Sequence, residues 1–208
     1  MKKLALVLVG ALIAQVGFAQ ITIDPQVGLH FAQERVVVGD ADATQSDAAV
    51  GFSGGVGVNI PLNSNGLYLK PGLYYQKLGG ETQEADVTAT TNLHYLSVPV
   101  NLGYRYQIGN AGSIFAEAGP YAGYAIDGNT EIDGGADDGK KMDIAFGDGT
   151  DEINRFDWGF DFGIGYETPW GVYVKGGYNL GLGNLTNVED VTANNRNWSV
   201  GIGYRIHL

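Results

Sequence analysis

The 208 residues contain no cysteine, which excludes disulfides, thiolate metal sites and the lipid-bearing thiol of a lipoprotein. Basic residues are scarce: 12 Lys and Arg stand against 23 Asp and Glu, for a formal net charge of −11. A chain so acidic cannot neutralise a phosphate backbone, so no nucleic-acid partner is expected. Prolines number only 6 and no Pro- or Ser-rich linker interrupts the chain, which fits a single domain. Long apolar runs are lacking too. The apolar stretch that begins at Leu4 is broken at Gln15 and falls short of the roughly 20 residues a spanning helix needs. Lys2 and Lys3 precede it and Gly17-Phe18-Ala19 follows, so residues 1–19 read as a signal peptide cleaved before Gln20. Losing the two lysines takes the charge from −11 to −13 and leaves 20–208 as the mature domain.

That domain alternates with a period of two. From Tyr95 to Ile108 every even residue falls on one apolar stripe, and Phe156, Trp158, Phe160, Phe162, Ile164 and Tyr166 repeat the pattern. A helix would scatter these residues around its axis, whereas a strand puts them on one face. Six further segments behave alike: Ile21 to Val38, Val50 to Leu62, Leu67 to Leu78, Ser113 to Ile126, Trp170 to Leu182 and Asn197 to Leu208. Brief turns at Asn63–Gly66, Gly109–Gly112 and Thr168–Gly171 alternate with longer polar connections at Gly39–Ala49, Gly79–Thr91, Asp127–Glu152 and Gly183–Asn195. An even strand count with short turns at one end and long loops at the other marks an up-and-down transmembrane barrel.

A soluble ligand-carrying barrel would alternate as well, and volume separates the two. An eight-stranded barrel has an interior just wide enough for side chains to fill. It cannot take in Trp158, Phe160, Phe162, Trp198, Ile202 and their counterparts from every strand. The opposite stripe, with Gly57, Gly72, Gly103, Gly119, Gly123, Gly163, Gly165, Gly177, Gly181, Gly201 and Gly203, does fit. The bulky stripe therefore faces outward, where lipid is the matching solvent. Tyr104, Tyr106, Tyr166, Trp170 and Tyr204 lie near the short turns, and Tyr75, Tyr124, Trp158 and Trp198 toward the long loops, as two interfacial girdles. The expected fold is all-β: an eight-stranded antiparallel up-and-down transmembrane β-barrel in the outer membrane.

The run Tyr95-Leu96-Ser97-Val98-Pro99-Val100-Asn101-Leu102-Gly103-Tyr104-Arg105-Tyr106 and the closing run Trp198 to Leu208 resemble the eight-stranded outer-membrane β-barrel domain family, the porin-like family of Gram-negative bacteria. The likeness spans the whole mature chain. It implies the barrel assembly machinery as a folding partner, because the closing strand is similar to the signal that machinery reads. The chain departs from the pattern in ending on Leu208, where the family carries an aromatic residue. Some related barrels serve secretion or gliding machinery, so the resemblance also implies a protein partner that these residues do not identify.

Lys70, Arg105, Glu117, Asp157, Asp161, Glu167, Lys175 and Arg205 share the inward stripe. Buried charges are tolerated when paired, and a tight hairpin at Gly109–Gly112 would set Arg105 opposite Glu117. These groups are expected to form an ionic zipper that plugs the barrel; the other reading is a narrow charge-lined path. His30, His94 and His207 lie on separate segments, and Ser97 and Ser199 point inward, away from any lipid substrate, so no catalytic, cofactor or metal residue is assigned. The acidic stretch Asp127 to Glu152 offers hard oxygen ligands suited to Ca²⁺ without EF-hand spacing, and reads either as a solvated loop or as a divalent bridge to lipopolysaccharide. Ile144, Ala145 and Phe146 suggest a hairpin continuing above the membrane. The function expected is non-enzymatic, a structural or surface-interaction protein acting through its long loops among outer-membrane lipids and lipopolysaccharide. A small-solute channel and a lipid-modifying or proteolytic barrel enzyme are the alternatives.

Overall fold

A computed structural model describes residues 21–39, 41–84, 86–135, 138–147, 149–150 and 152–207. The signal peptide assigned to residues 1–19 lies outside the described residues. Eight long strands follow one another: β1 (Thr22–Val38), β2 (Ala49–Pro61), β3 (Leu67–Glu84), β4 (Val87–Gln107), β5 (Ser113–Asp133), β6 (Phe156–Glu167), β7 (Val172–Gly181) and β8 (Val191–Tyr204). Each pairs antiparallel with its neighbours in sequence, and β1 pairs with β8 from Gln26↔Gly203 to Val38↔Val191, which closes the ring. Closure satisfies the edge groups that an open sheet would leave bare in lipid. Among the described residues no helix is long and apolar enough to cross a membrane.

The parity read from the sequence holds around the ring. Val27, Leu29, Val98, Leu102, Phe162, Ile164, Val200 and Ile202 stand exposed on the outside, while the alternate residues are buried or half-buried. Inward glycines let inward rings lie flat on the neighbouring strand. A Cβ built on Gly103 would meet the Tyr68 ring at 2.1 Å, one on Gly203 the Tyr173 ring at 2.3 Å, and one on Gly165 the Phe115 ring at 2.3 Å. The glycine-rich stripe is thus a set of seats for aromatic side chains. Gly103→Ala is expected to cost about 1–3 kcal/mol through overpacking, read as a lower urea midpoint of the detergent-folded barrel.

Several connections differ from expectation: β5 runs on through Asp127 to Asp133 and β8 starts at Val191, within the stretches Asp127–Glu152 and Gly183–Asn195 read as loops, and two more differ in kind. Gly79–Thr91 is not a loop: β3 runs to Glu84 and β4 starts at Val87, with Gly79↔Asn92 through Glu84↔Val87 in register. Val87-Thr88-Ala89-Thr90-Thr91 keeps strand propensity but loses apolar alternation, because both faces of this extension stand outside the apolar band. β4 and β5, 21 residues each, are about twice the 9–11 residues that a tilted strand needs to cross a bilayer. At Gly109–Gly112 the chain makes a 3₁₀ turn over Gly109–Ala111, with φ of +51° at Gly109 and +112° at Gly112, and Ile108 N–H donates to Gly112 O at 2.7 Å. This wider connection moves the register, so that Arg105 opposes Phe115 and Glu117 opposes Gly103. The expected Arg105–Glu117 pair is therefore not formed.

Candidate functional site

The lumen is where the inward polar stripe converges. Arg205, just after β8, forks onto Asp24 of β1, with Nε to Oδ1 at 3.2 Å and Nη2 to Oδ2 at 2.9 Å, and also donates to Glu167 at the end of β6. Glu167 takes Arg105 of β4 at 3.4 Å. Asp24 faces Lys70 of β3 at 3.5 Å, and Lys70 faces Glu117 of β5 at 3.6 Å. Glu117 binds Lys175 of β7 at 2.5 Å, and Lys175 reaches Asp161 of β6 at 3.5 Å. Eight groups thus alternate in sign, Arg105, Glu167, Arg205, Asp24, Lys70, Glu117, Lys175 and Asp161, and their charges cancel. Seven of the eight strands are tied by it.

Neutral groups complete the bonding. Tyr68 donates to Glu117 at 3.1 Å, and Asn101 and Asn179 donate to Asp161 at 2.6 and 3.1 Å. The Tyr173 ring lies 5.3 Å from Lys70 Nζ and 5.7 Å from the Arg205 guanidinium, close enough for cation–π attraction. The sequence places seven of these eight ions and omits Asp24, although Asp24 shares the even, inward parity of Gln26, Gly28 and His30. Asp157, also on the expected inward stripe, stands apart: it accepts from Tyr121 at 3.1 Å and from Asn195 at 3.0 Å, with no ion pair to a described cation.

Above the ions the lumen turns apolar. Ala32, Leu78, Leu93, Tyr95 and Ala125 form a buried cluster, and Ile144, Phe146 and Ile153 from the long β5–β6 connection pack onto it as a lid. The expected hairpin is present one step earlier, where Lys140–Asp143 returns along Asn129–Ile132 and Lys141 pairs with Glu131 at 3.2 Å. Ile144 and Phe146 themselves turn down over the barrel mouth. Arg155 holds the lid: its guanidinium covers the Phe146 ring at 4.8 Å and donates to Ala125 O at 3.1 Å. Asn187, from the β7–β8 connection, faces the carbonyls of Gly147, Gly149 and Glu152 at 2.9–3.1 Å. Beside the ions remains a polar cavity of about 40 Å³ lined among others by His30, Lys70, Asn101 and Lys175, room for only about three waters.

Three carboxylates of the acidic stretch bond locally. Asp127 accepts from Gly128 N–H at 2.9 Å, Asp138 from Gly134 N–H at 2.7 Å and Glu152 from Gly149 N–H at 2.8 Å. Asp137, Asp148 and Asp151 lie outside the described residues. Among the described residues no three or more His, Asp or Glu side chains converge as a metal site. His30 bonds Asn197 in the lumen at 2.8 Å, and His94 bonds Tyr75 on the outer face at 2.5 Å.

A closed ring of eight strands, apolar outside and ionic within, is a transmembrane β-barrel. The family model for the outer membrane protein beta-barrel domain matches residues 14–187, and the chain belongs to that family. It is accordingly an integral protein of the Gram-negative outer membrane. No curated protein matches the chain. Solved structures to which it is similar include Neisserial surface protein A (13% identity, TM-score 0.48, covering 90% of this chain and 97% of that one). OprG from Pseudomonas aeruginosa is another (10% identity, TM-score 0.43, 91% and 97% covered). Ail of Yersinia pestis is a third (16% identity, TM-score 0.37, 88% and 98% covered).

Proposed function

We propose that this barrel is a non-enzymatic, plugged outer-membrane protein that serves a structural or surface-interaction role through its long-loop cap. The observation that carries this reading is the double block of the lumen, an ion ladder tying seven strands and an apolar lid above it, with a cavity of about 40 Å³ left beside the ions. What extends into the medium is the cap: the upper halves of β3, β4 and β5, the strand Lys140–Asp143, and the loops that meet at Asn187. The histidines support the non-enzymatic side of the reading, since His30 and His94 are engaged by Asn197 and Tyr75 and not by a nucleophilic serine. Export with removal of residues 1–19 and folding by the barrel assembly machinery belong to the same reading, as does a protein partner for the cap.

Conductance tests it. Purified monomers in planar bilayers are expected to show no large, stable single-channel current. Such a current would overturn the plugged reading in favour of a small-solute channel.

A further inference from the structure

At the short-turn, periplasmic mouth, the start of β1, the end of β2, the turn into β3 and the end of β4 enclose a second polar cavity. Its volume is about 70 Å³, and Thr22, Asn59, Asn63, Leu67, Tyr68 and Arg105 are among the residues that line it. Of the described residues in that lining, Arg105 alone carries a charge. Arg105 is also the end of the ion ladder. Glu167 faces it at Nε, 3.4 Å away, and takes the Arg205 guanidinium as well. The two terminal nitrogens of Arg105 have no hydrogen-bond partner among the described residues. The guanidinium lies over the Tyr68 ring, 5.4 Å from its centroid, which holds the fork in place.

Asn59 supplies the complementary group, and charge fixes which way its amide points. The Asp24 carboxylate can only accept, so Thr22 Oγ1 donates to Asp24 Oδ1 at 3.3 Å and in turn accepts from Asn59 Nδ2 at 3.2 Å. Asn59 Oδ1 is thereby turned away from Asp24. That oxygen is buried without a hydrogen-bond partner among the described residues, on a side chain only 2% exposed. A buried acceptor left bare costs stability until something donates to it. The cavity therefore joins a cationic fork to a bare amide oxygen in a space the size of one small molecule. A guanidinium fork matches a carboxylate, and the oxygen calls for a neutral donor beside that carboxylate. We infer that Arg105 and Asn59 form a periplasmic binding site for a small carboxylate bearing an N–H or O–H donor on its α-carbon. The C-terminus of a peptide and an α-hydroxy acid share this chemistry. The site lies at the opposite end of the barrel from the cap and stands independently of the role proposed for the cap.

The full mature chain, isotope-labelled and folded in detergent micelles, tests this when the side-chain NMR signals of Arg105 and Asn59 are followed during titration with small probes. N-acetylglycine and glycolate carry both groups, acetate lacks the donor, and N-acetylglycinamide lacks the charge. At least one of the first two is expected to bind about tenfold more tightly than acetate, the effect of a hydrogen bond to a buried acceptor. N-acetylglycinamide is expected to bind more weakly than either. Tighter binding of N-acetylglycine would assign the site to peptide ends, and tighter binding of glycolate to hydroxy acids. Asn59→Leu is expected to erase the advantage over acetate, and Arg105→Gln to abolish binding of every acid, in variants whose heat-modifiable mobility shows a folded barrel. Equal affinity of the wild type for acetate and for both donor-bearing acids would overturn the site without recourse to any variant, leaving Asn59 Oδ1 to water. Survival of the full advantage in Asn59→Leu would overturn it too.

Discussion

Arg205→Ala is expected to lower the stability of the folded barrel by about 3–5 kcal/mol, the range for breaking a buried ion pair from one side. Arg205 is 1% exposed and holds two carboxylates, Asp24 and Glu167, of which Asp24 is fully buried. Truncation leaves both carboxylates desolvated, with Lys70 and Arg105 as their remaining partners at 3.5 and 3.4 Å. The measurement is a urea titration in lipid vesicles, followed by tryptophan fluorescence and by the mobility difference between boiled and unboiled samples. A quadruple variant, Arg105→Met and Arg205→Met with Asp24→Leu and Glu167→Leu, should recover most of the loss, because it removes two charges of each sign and leaves Lys70 on Glu117, and well-packed apolar replacements of a buried ionic group are often neutral or better. Wild-type stability in Arg205→Ala would mean that the ladder does not hold the barrel together.

Val100→Arg tests the opposite face. Val100 lies exposed on the outer stripe of β4, paired to Pro71 and flanked by Val98 and Leu102. An arginine there must reside in hydrocarbon, at an expected cost of about 2–4 kcal/mol at the bilayer midplane. Met142→Arg places the same charge on an exposed side chain of the short cap strand and should cost little. Comparing the two unfolding midpoints decides the matter, since equal tolerance would mean that the outer stripe does not face lipid.

The barrel was legible in the sequence because one physical rule, apolar residues out and small or ionic residues in, runs through every crossing segment. That rule ends at the membrane boundary, and there the reading failed. Val87 to Thr91 and Asn129 to Ile132 are strand extensions whose residues are half-buried on both faces, so no alternation marks them and they pass for loops. The lid was missed for a related reason. Ile144, Phe146 and Ile153 are separated by polar and glycine residues, and only the fold shows that they share one cluster. Residue identities placed most of the ions in the lumen, but pairing between them depends on register. A single 3₁₀ turn at Gly109–Ala111 displaced Arg105 from Glu117. Asp24 was readable by parity and was hidden by the weaker alternation of β1.

The contact between Asp24 and Arg205 joins residues 181 apart in the chain. Neighbouring hairpins can supply Lys175 to Asp161 or Lys70 to Glu117 as the sheet grows, but Asp24 meets Arg205 only when the last strand reaches the first. Until then the carboxylate at the leading edge has only Lys70 beside it and the guanidinium at the trailing edge only Glu167, so each is one partner short of what its burial demands. A half-built sheet is thereby discouraged from sealing onto itself early or sinking edge-first into lipid. Closure becomes the moment at which both groups gain their two-pronged contact together, and the seam works as a latch that engages once, at the end of assembly.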